Sequence, residues 1–172
     1  MIEKSCAILG IDPLKLPWGY DEEDELCGAL KLILLNLVNY WRTDGITSFV
    51  VALDAGIGLY MAEIIICLRE TDPEITLSCI IPWEEQAAKW PPDLRDRYYN
   101  VQAKCESVEI VTPQQTASCE VEAKLRAIDL TERVFAVMAR EEDAQLAVAL
   151  HYARRIGKTV LVFDSDMSVF YN

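Results

Sequence analysis

Short, uninterrupted apolar segments alternate along this chain with longer segments in which apolar residues recur every three or four positions. The apolar segments predict β-strands over 6–10, 48–53, 76–81, 107–111, 133–138 and 159–163. The periodic segments predict helices over 21–41, 59–69, 84–89, 93–104, 117–128 and 143–156. The strands are apolar throughout rather than at alternate positions, so we expect helices on both faces of the sheet. The pattern therefore predicts a three-layer α/β/α sandwich around a mostly parallel, Rossmann-like sheet.

Two segments carry most of this prediction. The strand, helix and strand over 48–81 form a unit typical of a right-handed crossover between parallel strands. The helix over 21–41 opens with acidic residues, which suits the positive end of a helix dipole. Its apolar face is predicted to consist of Leu26, Leu30, Ile33, Leu34, Leu37 and Trp41. The pattern leaves the order of the strands open.

The length and charge of the chain narrow the classes of function. A chain of 172 residues is long enough for one proper core, and we expect a single domain over 1–172. The net charge of −12 disfavours binding to nucleic acid or to an anionic membrane surface, because such binding begins with basic residues that neutralise phosphates. The longest apolar stretch, 32–38, is far shorter than the roughly 20 residues of a membrane span, and no signal-peptide pattern opens the chain. We therefore expect a cytoplasmic location.

The residue patterns that most often carry catalysis are missing. The six cysteines include no CxxC pair and His151 is the only histidine, so the sequence predicts no zinc site and free thiols in the core. No Gly-x-Ser-x-Gly turn is present, and no cysteine lies near a predicted base. We accordingly predict no catalytic residue, no metal and no cofactor. Carboxylates after the strands leave binding of Mg²⁺ or Ca²⁺ as a weaker alternative, although no Asp-x-Asp loop matches a calcium site.

Open parallel sheets bind ligands at the carboxyl ends of their strands, so the residues just after the strands are candidate ligand-binding residues. Gly10 and Asp12 follow the first strand, and Asp54, Gly56 and Gly58 follow the second. Glycines at such turns let the backbone approach a phosphate at the start of the next helix. However, the third glycine of the dinucleotide fingerprint is missing, and Asp54 stands where the anion would lie. A plain strand-to-helix turn is therefore the competing interpretation.

A second group of candidates combines aromatic and basic residues. Trp83, Arg95, Arg97 and Tyr98 are close in sequence to Trp90. Arginine and aromatic side chains together bind anionic, ring-bearing ligands. The same residues also fit a helix that packs its aromatic side chains inward while its arginines pair with surface acids. Both interpretations stay open on the sequence.

Several segments resemble one known family. They are residues 15–19 (Lys-Leu-Pro-Trp-Gly), 62–64, 81–86 with the following Trp90, and 95–98 (Arg-Asp-Arg-Tyr). In this order they resemble the YpsA/YoqJ-type proteins of the SLOG superfamily, over nearly the whole chain. The resemblance implies a Rossmann-like fold and a nucleotide derivative or related small molecule as ligand.

The chain departs from that family where its ligand motifs are expected. The family usually has Thr-Gly-His-Arg-Pro after the first strand, where residues 9–13 retain only the glycine and the proline. After the second strand, residues 51–58 retain one glycine of a Ser-Gly-Met-Ala-x-Gly-x-Asp motif. A Gly-Gly-Thr turn is missing at 144–146 and an Arg-Asn-Arg segment at 123–125. These changes remove phosphate-binding groups and add carboxylates at the same edge.

The leading hypothesis is a non-enzymatic SLOG-type protein, expected to be a homo-oligomer, whose nucleotide-derivative pocket is impaired or repurposed. The alternative is a working nucleotide-derivative sensor or nucleotide-processing enzyme that binds its ligand at the carboxyl edge of the sheet. In that case Gly10, Gly56, Gly58 and the cluster of Arg95, Arg97 and Tyr98 would hold the ligand.

Overall fold

In the computed structural model, which describes residues 4–172, a central sheet is flanked by helices. The strands are β1 (Ser5–Leu9), β2 (Ser48–Ala52), β3 (Thr76–Trp83), β4 (Ser107–Thr112), β5 (Arg133–Met138), β6 (Thr159–Asp164) and β7 (Val169–Tyr171). The α-helices are α1 (Glu25–Thr43), α2 (Ile57–Arg69), α3 (Pro92–Lys104), α4 (Cys119–Asp129) and α5 (Ala144–Arg155). A short 3-10 turn, Pro13–Lys15, follows β1.

The strand order is β4-β3-β2-β1-β5-β6-β7, and neighbouring strands are parallel except for β6 and β7. From β1 the chain builds outward to β4 and then returns to place β5 on the other side of β1. Ala7 of β1 accordingly pairs with Val50 of β2 and with Val134 of β5. The direction of strand addition reverses between β1 and β5, and open α/β sheets bind their ligands beside such a reversal.

Helices cover both faces of the sheet. Helix α2 contacts α1 and α3, whereas α4 contacts α5, so α1 to α3 form one layer and α4 with α5 forms the other. Right-handed crossovers place the helices on opposite faces once the direction of strand addition has changed. The central strands β1, β2 and β5 are buried almost throughout, as their continuous apolar sequences predict. The predicted three-layer sandwich with a mostly parallel, Rossmann-like sheet is confirmed.

Helix α1 begins four residues later than its acidic sequence predicts. Asp24 is its N-cap, because the Asp24 side chain accepts a hydrogen bond from the Leu26 amide at 2.8 Å. The acids before Asp24 therefore lie ahead of the helix. The buried face is also rotated from the predicted one: Leu26 is 55% exposed. The buried positions are Cys27, Leu30, Leu34, Val38 and Trp41.

Two other expectations about secondary structure are wrong. Residues 84–89 form turns instead of a helix, because β3 extends to Trp83 and Pro91 soon follows. A residue before proline is disfavoured in helical conformation, and so short a segment gains too few hydrogen bonds to form a helix alone. The short strand β7 is absent from the predicted set. It pairs antiparallel to β6, and its three residues, although apolar, form too short a run to indicate a strand in the sequence.

Within residues 4–172, no helix combines the length and the apolar character needed to span a membrane.

Candidate functional site

A cavity of about 920 Å³ opens at the carboxyl ends of β1, β2 and β3. Its lining also includes residues from α4 and from the start of α5, beside the reversal of strand order between β1 and β5. Of the candidate residues, Asp12, Asp54 and Trp83 line this cavity directly. The edge of the sheet that the sequence selects is thus the edge where the structure has room for a small molecule.

At the floor of the cavity, Asp54 occupies the start of helix α2. Its Oδ1 atom accepts hydrogen bonds from the backbone amides of Gly56, at 2.8 Å, and Gly58, at 3.0 Å. Free amides at the first turn of a helix form the natural binding site for an anion. Here the protein's own carboxylate fills that position, so a bound phosphate would have to displace it.

Two glycines make room for this carboxylate. A Cβ atom on Gly10 would lie 2.4 Å from Asp54 Oδ2, and a Cβ on Gly58 would lie 2.7 Å from the backbone oxygen of Ala52. A Cβ on Gly56 would meet the ring of Pro13 at 3.1 Å. Gly10 and Gly58 therefore leave the space that the Asp54 carboxylate occupies.

The Asp54 carboxylate is held at an energetic cost. The residue is partly accessible through the cavity, but protein atoms enclose its ionisable group. Burial raises the pKa of Asp54 to about 6, although Lys124 and the amides of Gly56 and Gly58 act to lower it. Asp54 is therefore ionised at neutral pH and takes up a proton in mildly acidic solution.

Two further aspartates, Asp12 and Asp143, line the cavity. Asp143 caps α5 through the Leu146 amide at 2.9 Å, and it lies 3.5 Å from Lys15 Nζ. Asp12 caps the 3-10 turn by accepting from the Leu14 amide at 2.9 Å. Burial acts to raise the pKa of Asp143, but the Leu146 amide and Lys15 outweigh it and the pKa lies below its usual value. Both side chains thus have structural partners.

One wall of the cavity is aromatic. Trp83 and Trp90 line it, and the segment between them is tied to the sheet by Gln86. The Gln86 side chain donates to the backbone oxygen of Leu53 at 3.1 Å and accepts from the Tyr98 hydroxyl at 3.1 Å. Tyr98 is buried behind this wall, with its ring 4.9 Å from that of Trp90. It supports the wall from the side away from the cavity.

Arg97 lies outside the cavity lining and is fully engaged elsewhere. Its guanidinium donates two hydrogen bonds to Glu63, both at 2.8 Å, and two to Glu22, at 2.5 and 3.0 Å. Arg95, which also lies outside the lining, is partly exposed on α3. The structure therefore does not bring Arg95, Arg97 and Tyr98 together with Asp12, Asp54 and Trp83.

Lys124 is a cavity residue that the sequence interpretation does not single out. It lies on α4, lines the cavity and is only 9% exposed. The position is on the buried side of the helix, beside Ala123 and one turn from Ile128. A lysine at helical spacing with buried apolar residues is the sequence signal that marks it.

The chain is similar to proteins of one known family. A family model named YpsA, whose description is "YspA SLOG family", matches residues 6–162. The chain belongs to this family. A UPF0398 protein of Bacillus cereus strain G9842 is 23% identical over 159 residues, which cover 90% of this chain and 85% of that protein. A UPF0398 protein of Halalkalibacterium halodurans is 29% identical over 69 residues, which cover 40% of this chain and only 36% of that protein.

No group of three or more histidine, cysteine, aspartate or glutamate side chains within residues 4–172 is placed to hold a metal ion. No disulfide joins the cysteines among residues 4–172. The prediction that they lie in the core holds for four of them, whereas Cys105 is partly exposed and Cys67 is exposed.

Proposed function

We propose that this YpsA-family protein is a non-enzymatic small-molecule-binding protein whose nucleotide-derivative pocket has been repurposed. The observation that carries the proposal is the Asp54 carboxylate on the amides of Gly56 and Gly58. The cavity itself is large enough for a nucleoside-sized molecule and has an aromatic wall. What has changed is the position where helix α2 would receive a phosphate.

Electrostatics favour exclusion of a phosphate from α2. Two like charges about 4 Å apart repel by roughly 4 kcal/mol at an effective dielectric constant near 20. Each ordinary hydrogen bond that a phosphate would gain contributes only about 1 kcal/mol. The Gly56 and Gly58 amides are already bonded to Asp54, so a phosphate there meets repulsion without free donors.

The three aspartates that line the cavity support the assignment as a binding protein. Asp12 and Asp143 cap a turn and a helix, and Asp54 caps α2, so each already accepts backbone hydrogen bonds. A general base must be placed against a substrate proton, and a nucleophile must be activated by a base beside it. A nucleotide-processing enzyme that used one of these aspartates would have to draw it away from its structural hydrogen bond.

The proposal is tested with a variant that removes the Asp54 carboxylate from the backbone amides of Gly56 and Gly58. Trp83 and Trp90 line the cavity, so intrinsic tryptophan fluorescence reports its occupancy. We expect Asp54→Ala to bind ADP about tenfold or more tightly than the native protein does, because it removes the repulsion and exposes both amides. Adenosine, which has no phosphate, should bind the two proteins equally.

Two variants control for unrelated effects. Asp54→Asn removes the charge but keeps an oxygen for the Gly56 and Gly58 amides, so its gain in ADP affinity should be smaller than that of Asp54→Ala. Arg97→Ala should leave every affinity unchanged, because Arg97 lies outside the cavity lining. Equal ADP affinity in the native protein and in Asp54→Ala, or no binding of any probe by either, would contradict the proposal.

The expected homo-oligomer and cytoplasmic location stay predictions. Exposed apolar side chains on the edge strand β7, such as Phe170, support self-association. Light scattering on the purified protein measures the oligomeric state directly.

A further inference from the structure

Two cysteine side chains, one from the sheet and one from the end of a helix, lie against each other. The Sγ atom of Cys79, on β3, is 3.0 Å from the Sγ atom of Cys105, the residue that ends α3. The Cys105 thiol donates a hydrogen bond to the Val101 backbone oxygen at 3.1 Å, so the hydrogen bond between the two sulfurs is donated by Cys79. A disulfide bond is about 2.05 Å long, and a shift of roughly 1 Å would therefore join these atoms.

The two thiols differ in access to solvent and in acidity. Cys79 is fully buried in the sheet, whereas Cys105 is partly exposed. The hydrogen bond from Cys79 lowers the pKa of Cys105 despite burial, and the contact with Cys105, together with burial, raises the pKa of Cys79. The thiolate is the form of cysteine that attacks an oxidant. Cys105 is therefore the member of the pair that an oxidant from solution reaches first and reacts with.

The chain between the two cysteines carries the aromatic wall of the cavity. It includes Trp83, Trp90 and the whole of α3, where Tyr98 supports the wall from behind. The two cysteines are 26 positions apart in the sequence. A covalent bond between them would close this segment into a loop, and such a closure removes conformational freedom from the unfolded chain.

We propose that Cys79 and Cys105 form a reversible, hydroperoxide-sensitive disulfide that fixes the aromatic wall of the cavity. The inference does not depend on the proposed function, because it assigns a modification site and not a ligand. The buried sulfur of Cys79 serves as the resolving thiol, since it already contacts the sulfur that the oxidant attacks.

The reaction consumes one hydroperoxide and forms one disulfide. The Cys105 thiolate attacks one oxygen of hydrogen peroxide, the O–O bond breaks, and the leaving hydroxide takes up a proton to become water. Cys105 is then a sulfenic acid. The Cys79 sulfur attacks the sulfenic sulfur, the S–O bond breaks, and the hydroxyl group leaves with the Cys79 proton as a second water. The two sulfurs together lose two electrons, which the peroxide gains, and a dithiol reductant reverses the step by exchange.

The test is treatment of the reduced protein with hydrogen peroxide, followed by thiol counting and peptide mapping. We expect two of the six thiols to be lost, the mass to fall by two hydrogen atoms, and the peptides that contain Cys79 and Cys105 to be cross-linked. Dithiothreitol should restore both thiols. In Cys79→Ala the sulfenic acid of Cys105 lacks its resolving thiol, so dimedone should label Cys105 there and not in the native protein.

Cys67 offers a matched control, because it is exposed on α2. Cys67→Ser should form the same disulfide as the native protein, whereas Cys105→Ser should not form it. We expect the oxidised native protein to melt roughly 4–10 °C above the reduced protein, as closure of a loop of this length predicts. Peroxide should cause no such rise in Cys105→Ser. Melting curves of the reduced variants establish that they are folded.

Two results would overturn the inference. One is oxidation of Cys67 by peroxide while Cys79 and Cys105 stay reduced. The other is a disulfide between Cys79 and Cys105 that leaves the melting temperature unchanged or lowers it, because the wall would then not be held more firmly. The ADP titrations of Asp54→Ala are made on reduced protein, so their outcome is independent of both results.

Discussion

Two aspartates at the same cavity hold the starts of two helices, yet their environments drive their pKa values in opposite directions. Asp54 lies on the amides of α2, and burial raises its pKa to about 6. Asp143 lies on the Leu146 amide of α5, and its pKa falls below the usual value despite burial. The difference is the depth of burial: protein atoms enclose the Asp54 carboxyl so fully that Lys124 and two backbone amides do not offset the cost, whereas the Asp143 carboxyl is only partly enclosed, and the Leu146 amide and Lys15, at 3.5 Å, outweigh its burial. Position at a helix start does not by itself decide the charge of a carboxylate.

The largest expected effect on the free energy of unfolding comes from a substitution that fills the space beside Asp54. Gly58→Ala would place a Cβ 2.7 Å from the Ala52 backbone oxygen and 3.2 Å from Asp54 Oδ1. We expect a loss of about 2–3 kcal/mol in the free energy of unfolding, as for other overpacked sites, and a melting temperature lower by roughly 4–10 °C. Gly28→Ala is the control, since a Cβ there has no neighbour within 4 Å. An equal loss in both variants would show that the close packing around Asp54 is not responsible.

The next largest expected effect is that of the Asp54 charge on the free energy of unfolding. Its raised pKa means that the folded protein holds this proton more tightly than the unfolded chain does. Ionised Asp54 therefore lowers stability, and this loss develops as the pH rises from about 4 to about 6 and is complete above that. Asp54→Asn should be more stable than the native protein at pH 7.5 by about 1–3 kcal/mol, with the difference vanishing near pH 4. Urea unfolding across this pH range measures it, and a pH-independent difference would contradict the assignment.

The corresponding substitution at Asp143 should change the free energy of unfolding in the opposite direction and by a smaller amount. Since the pKa of Asp143 is lowered, its ionised form stabilises the folded state above the usual pKa, and this contribution is lost as the pH falls through the lowered value. Asparagine can still cap α5, so Asp143→Asn should cost only about 0.5–1 kcal/mol at pH 7.5. The same urea series applies. A gain in stability would show that Lys15 does not compensate the burial of Asp143.

Much of the fold could be predicted because the signals are local. The boundaries of β5, Arg133–Met138, match those of its apolar run, and Pro92 opens α3 as a proline at a first helical position should. Residues 84–89 and β7 could not be assigned in this way. The first segment depends on Gln86 reaching the end of β2, and the second on pairing with β6. Both depend on contacts that appear only after folding.

Local sequence signals likewise identify some residues of the candidate site and not others. Asp12 and Asp54 could be placed at the cavity because residues after parallel strands always meet at one edge of the sheet. The role of Arg97 could not, because its partners Glu22 and Glu63 are 75 and 34 residues away in the chain. The position of Lys124 in the cavity could not be predicted for a related reason. Which side of α4 faces the cavity depends on how that helix packs.

Gln86 has a consequence for the kinetics of association. By bridging the Leu53 carbonyl and the Tyr98 hydroxyl, it holds a segment without regular secondary structure between the sheet and α3. The tryptophans on either side are thereby positioned before any guest arrives. A molecule that entered would meet a preformed wall, would lose little affinity to the ordering of a loop, and would reach its bound state at a rate governed by encounter instead of by a conformational change.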